Sequence, residues 1–549
     1  MKKNTIKYNI FFMLLALVGF TSCETIELDL TEDPLSVGPD SADPQLLLNQ
    51  IQIDFAFFAE TSGDLGSQVT RIDHLFGRQY LAAYGPTSFD RLWSRAYRDI
   101  LADIRIMNPL AEEAGLSKNV GIGQFIEAYT IVTLVDLFGD VPYSEAIDAT
   151  NINPVADDDA ELYDRAIVLL DNAIANFNTA GPDPDTDFYY NNNFDNWIKA
   201  ANTLKMKIYL SSRLVNTDAA AAFNAIVSSG DFISDNSEDL QFSFGSNEVS
   251  PDTRHPDYAA QYTGQGGGAY QSNWLMNQMN SSNDTRIRYY FYRQNAMTPG
   301  ADGEDPSLET LACSATLAPP HYDGFTFCYL SDGYWGRDSG DDGGIPPDGL
   351  LRTAYGVYPT GGQFDDDTFG NIAQGSGGGG AGIQPILLAS SVDFYRAEFA
   401  LIGGQLPEAS NFVRSGITKS IAKVQAFGDL DTNANLASFA PSASDNALFI
   451  NDIVASFDAN NTEGRFNILG EQFFVSLFGN GMDAYNFYRR TGFPSTLQPN
   501  IEANPGAFIR SMLYPQSYAA TNSNAQQKPD QTVQVFWDTN PASGFPLSN

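Results

Sequence analysis

The chain has 549 residues, with 67 Asp and Glu against 30 Lys and Arg, a formal charge of −37 and three Cys. A surface this acidic repels phosphate backbones and anionic lipid head groups, which excludes nucleic acid and electrostatic membrane binding. Hydrophobic residues make up 43%, enough for a large core, and no break in composition divides the length into independent domains.

Lys2, Lys3 and Lys7 precede an apolar run from Ile10 to Phe20 and the small pair Thr21-Ser22, the pattern of a secretory signal peptide over 1–22. Cys23 follows at once and resembles the cysteine of a bacterial lipobox, which implies cleavage before it and lipid on its sulfur. Residues 23–44 are polar, contain Pro34, Pro39 and Pro44, and read as anchor and tether; 45–549 reads as one domain.

Helix is expected from Asp43 to Tyr84 and again from Phe89 through Ile104, with Trp93 and Tyr97 in its core face. The stretch Gln124–Phe138 is apolar on nearly all sides, which predicts a buried helix, too short and too interrupted to span a membrane. Gly139 supplies a left-handed cap and Pro142 stops the helix from resuming. Asp157, Asp158 and Asp159 start another helix, with Leu162, Ala166, Leu169, Leu170, Ala173 and Phe177 as its stripe. A third stripe runs from Trp197 to Ser211. Successive helices joined by turns predict tetratricopeptide-like packing over about 45–230 and 390–549. Between them, about 231–389 is rich in Gly, Asp, Asn, Pro and Tyr and reads as a loop-rich insertion.

His74, His255 and His321 lie far apart without zinc-hydrolase spacing, and no Gly-x-Ser-x-Gly elbow or phosphate-loop Lys is present. Carboxylate pairs are too common in this chain to mark a glycosidase. Cys313 and Cys328 form an even pair in an exported protein, and a disulfide between them would contribute about 3 kcal/mol. Asp429, Asp431 and Asn433 alternate as in a calcium loop, but Ala434 and Ala440 stand where Gly and Glu are needed; Asp338, Asp341 and Asp342 are a second acidic group. Both read first as solvated turns, with structural calcium as the one cofactor to consider. The insertion holds Tyr270, Trp274, Tyr322, Tyr334, Trp335, Tyr355 and Tyr358. Flat aromatic faces with nearby polar groups suit sugar rings, and Tyr334-Trp335, among Gly and Asp, is expected on an exposed turn.

The wording of several segments resembles the SusD/RagB family of outer-membrane nutrient-binding lipoproteins. Phe138-Gly139-Asp140-Val141-Pro142-Tyr143-Ser144-Glu145-Ala146 is similar to its signature, and Arg396-Ala397-Glu398 and Gly416-Ile417 follow in family order. Arg489-Arg490-Thr491-Gly492-Phe493-Pro494, Arg510 through Tyr514-Pro515, and Val535-Phe536-Trp537-Asp538 complete the set. Lys207 stands where the family has Arg, Phe536 where it has Trp, and Ala507 where Pro often stands. Glu24 and Glu27 resemble the surface-export signal of Bacteroidetes lipoproteins. The resemblance implies a SusD-like, mainly α fold and a lipid-anchored protein facing the cell exterior. It also implies capture of an oligosaccharide or peptide, a SusC-like TonB-dependent barrel as partner, and no enzymatic activity. The alternatives are an accessory or scaffold subunit without nutrient uptake and, more distantly, a glycan hydrolase.

Overall fold

The computed structural model describes residues 42–541, apart from 149, 264–268, 299–300, 303–312, 314–315 and 344–351. The signal peptide and Cys23 lie outside the described residues.

Asp43 accepts the backbone N–H of Gln45 and caps α1 (Pro44–Val69), whose Leu48, Ile51, Phe55 and Phe58 are buried. A short helix α2 (Asp90–Ser94) runs through a π-helical stretch, Arg95–Leu101, into α3 (Ala102–Glu113). α4 (Ser117–Phe138) begins seven residues before the expected Gln124 and ends as expected at Gly139, with φ 72° and its N–H on Val135 O. At 22 residues this helix has the length and hydropathy to cross a membrane, contrary to the sequence reading, but 94% of its apolar window is buried inside the protein. It is the core helix that its all-round hydrophobicity predicts.

The Asp158 carboxylate caps α5 (Asp159–Asn178) by accepting the N–H groups of Ala160 and Glu161. Next come α6 (Phe194–Ser212) and α7 (Ala219–Ser229), and from α3 to α7 each helix packs on the one before it. β1 (Leu240–Ser243) opens the loop-rich stretch, which contains α8 (Pro256–Gln261), α9 (Asn273–Ser281), β2 (Phe291–Tyr292) and β3 (Ala354–Tyr355). β4 (Ile383–Leu387) closes it by pairing antiparallel with β1, Leu240 opposite Leu387. β2 and β3 pair inside it, Phe291 opposite Tyr355.

Helix then returns as α10 (Ala389–Ile402), α11 (Leu406–Gln425), α12 (Ala443–Ala459), α13 (Thr462–Ser476) and α14 (Met482–Thr491). α14 packs on α1 and α13 on α9, so the two helical regions and the inserted stretch share a hydrophobic core reaching from Leu48 to Trp537. The fold is mainly α, with a tetratricopeptide-like helical arrangement.

Candidate functional site

Beyond α1 the chain turns at Arg71, whose φ of 66° is left-handed, at a cost of roughly 1–2 kcal/mol for a residue with a side chain. Buried hydrogen bonds hold it there: the guanidinium donates to Val69 O (2.6 Å), Gln498 O (3.0 Å) and the Tyr80 hydroxyl (3.0 Å). The loop that follows is stitched to three others. Gly340 N–H donates to Leu75 O, Ile501 N–H to Ser339 O, and the Tyr322 hydroxyl to Pro499 O, at 2.8–2.9 Å. His74 Nε2 lies 3.0 Å from Asp341 O and His321 Nε2 lies 2.9 Å from Asn500 O. Burial and the nearby Arg337 charge push the His74 imidazole down to about 3, so it is neutral and donates Nε2–H to the carbonyl.

The face these loops make carries Phe76 and Leu81, 50% and 59% exposed. Arg78, equally open to solvent, bridges Asp342 (2.7 Å) and Glu502 (2.8 Å). An exposed ring two residues from a cation held between two carboxylates offers a flat apolar surface, donors and acceptors together. That combination suits a hydroxyl-rich ligand.

The insertion aromatics singled out from sequence lie beneath surfaces rather than on them. Tyr270 packs between His74 and Arg337, 6.0 Å and 4.3 Å from its ring centre. Trp274 donates its indole N–H to Thr496 O at 2.9 Å, and Tyr322 and Tyr358 are buried. Tyr355 is half-buried, and its hydroxyl donates to Asp73, whose carboxyl burial raises to about 6. The exposed turn expected at Tyr334-Trp335 is not there: Tyr334 is 5% and Trp335 1% exposed. The reason lies in the flanking glycines. A Cβ on Gly333 would stand 2.0 Å from Asn295 O, and one on Gly336 2.2 Å from Gln271 O. These glycines allow backbone to press on backbone, and the residues between them go inward. Tyr334 lies under Arg293, and Trp335 packs beside the disulfide that joins Cys313 to Cys328. Phe76 and Arg78 were missed because they precede the insertion; the signal available was an aromatic and a cation around Gly77.

In each acidic turn a buried carboxylate proves to be an internal strut while other members stay at the surface. Asp431 accepts the N–H groups of Asn433 (3.2 Å) and Phe364 (3.0 Å), one on each oxygen, while Asp429 and Asn433 are exposed. Asp338, 1% exposed, accepts from Asn273, Gln498 and the Cys328 N–H, and burial raises it to about 6. A different group is more crowded. Glu60 and Asp64 on α1 and Asp257 on α8 each place a carboxylate oxygen within 4.8 Å of the others. Burial, and then mutual repulsion, raises Asp64 well above the usual range and Asp257 to about 8. Burial raises Glu60 as well, against Arg95 and Arg91.

Two family models match the chain: "Starch-binding associating with outer membrane" over residues 39–308, and "Susd and RagB outer membrane lipoprotein" over 383–536. The chain belongs to the SusD/RagB family. Its fold is similar to a SusD/RagB-family protein from Bacteroides thetaiotaomicron, at 18% identity and TM-score 0.65, covering 91% of this chain and 100% of that one. A SusD homologue from Bacteroides fragilis gives 17% and 0.64, covering 90% and 99%. A chitin-binding SusD homologue from Flavobacterium johnsoniae gives 16% and 0.58, covering 90% and 98%. No curated protein matches the chain.

The motifs that mark this SusD/RagB protein converge in its interior. Asp136 of α4 accepts from Asn486 (2.6 Å), the Trp537 indole (3.0 Å) and the Tyr163 hydroxyl. Arg489 lies over the rings of Tyr485 and Trp537, 3.7 Å and 4.6 Å from their centres. Arg490 grips both oxygens of Glu398 (2.8 and 2.6 Å), with Arg213 on the same carboxylate at 3.1 Å. Arg510 forms a two-pronged pair with Asp538. Lys207, in the family's Arg position, pairs with Asp483 at 2.7 Å. These residues hold the scaffold together from within.

Proposed function

We propose that the protein is a cell-surface lipoprotein, anchored through Cys23, that binds an oligosaccharide on the loop face around Phe76. It passes the ligand to a SusC-like TonB-dependent barrel, over which it acts as a lid, and performs no covalent chemistry. The carrying observation is the half-exposed Phe76 ring beside the Arg78–Asp342–Glu502 group. Sugar rings stack on such a ring, while the charged groups supply hydrogen bonds to hydroxyls. Membership of an outer-membrane lipoprotein family supports the location, and chitin binding by similar proteins supports a glycan over a peptide.

The test is titration of chito-oligosaccharides and starch oligosaccharides into the wild type and Phe76→Ala. Covering the open half of a Phe contributes about 1–1.5 kcal/mol, so the variant should bind roughly tenfold more weakly. Equal affinity of the two proteins for a glycan that binds would refute the placement. Purification of the lipidated protein from outer membranes should recover a TonB-dependent barrel, and recovery without one would remove the lid role.

A further inference from the structure

The helical scaffold holds a cavity of about 620 Å³, on different elements from the loop face. Its walls come from α3, α4 and α5 and the turn at Tyr143-Ser144, and its size suits a small molecule. Tyr143 is its buried centrepiece. The hydroxyl donates to Glu127 Oε1 at 2.8 Å and accepts from Arg165 Nε at 3.3 Å. Arg105 and Arg165 stand 5.3 Å and 6.0 Å from the same ring centre.

The two arginines are set apart from most others in this chain. Acids outnumber bases 67 to 30, yet among the described residues neither Arg105 nor Arg165 forms an ion pair. Arg105 donates to the carbonyls of Ala146 and Tyr143, and Arg165 has only its Nε bond to Tyr143. Two of the three acids in the wall are otherwise engaged. Asp157 Oδ2 accepts the N–H groups of Tyr143 (2.7 Å) and Ser144 (3.0 Å), and Glu127 accepts from the Tyr143 hydroxyl. The cavity thus offers an unused cationic fork and a second positive charge beside it.

We propose that this cavity is a second binding site, for a small carboxylate. The carboxylate takes the open fork of Arg165 with Arg105 adding charge, an arrangement that planar guanidinium groups favour. Two sources share this chemistry: an acidic sugar, or an amino acid and its short peptides. Glu161, exposed on the cavity rim one helical turn before Arg165, opposes the anion by like charge.

Calorimetric titration of the mature chain with glucuronate, glutamate and, as neutral control, glucose tests this. Glucuronate or glutamate should bind while glucose does not, and the tighter of the two identifies the source. Arg165 is exposed, so Arg165→Gln should fold normally and weaken binding about tenfold or more. Glu161→Gln should tighten it several-fold. Phe76→Ala should leave it unchanged, which separates this site from the loop face. Glucose binding as tightly as the acids, no binding of either acid, or an unaltered affinity in Arg165→Gln would overturn the proposal.

Discussion

Replacing Asp64 by Asn should stabilise the protein, by an amount that depends on pH in a fixed direction. Asp64 shares its surroundings with Glu60 and Asp257, carboxylate oxygens within 4.8 Å of one another. At that separation, two full charges in an effective dielectric of ~20 repel by ~3 kcal/mol. The Asp257 side chain keeps 30% of its exposure, so solvent screens part of this and about 2 kcal/mol is the reasonable expectation. The folded-state pKa lies above the unfolded one. The wild type is therefore least penalised below about pH 4, where both states carry the proton, and loses stability as pH rises through the folded value. Asp64→Asn should gain almost nothing at pH 4 and about 2 kcal/mol at pH 8. For a domain of roughly 500 residues that is a shift of about 2 °C in melting temperature. Melts in chelator, so that protons alone answer the charge, should be compared with Asp452→Asn on the exposed face of α12. A gain equal at both pH values, or no gain beyond the control at pH 8, would show that these carboxylates do not strain one another.

Two further outcomes follow from the interior. Glu398→Gln leaves Arg490 and Arg213 buried without their counter-charge and should cost about 3–5 kcal/mol, read as a fall in the denaturation midpoint; a change under 1 kcal/mol would mean the arginines find other partners. Opening the Cys313–Cys328 disulfide with reductant, or by Cys328→Ser, should cost up to about 3 kcal/mol and speed proteolysis between the two positions, with an unchanged digestion pattern counting against it.

Local physics made the scaffold legible. The all-round apolar run before Gly139 and the acid-capped stripe from Asp159 show themselves because helix periodicity and caps act within a few residues. The pairing of Leu240 with Leu387 does not, because a short strand gains its partner only from the far end of the insertion. α12 went unread although Ser442 and Asp445 form a capping box at its start. At the site, composition pointed to the aromatic-rich insertion, but composition does not tell a ring on a surface from a ring beneath one. Gly333 and Gly336 fit an exposed turn and a close backbone contact equally well, and only the positions of Asn295 and Gln271 decide. Phe76 became visible only when four distant loops were seen to meet.

The bond from Trp537 to Asp136 spans 401 positions of the chain. During synthesis from the N-terminus, α4 therefore emerges long before the indole that completes its buried carboxylate's set of partners. At ribosomal rates that interval is roughly 20–80 s. Throughout it, Asp136 has the Tyr163 hydroxyl within reach but not the Trp537 indole that shares the same oxygen in the folded protein. The surroundings of this carboxylate are thus completed only by the last part of the chain to be made.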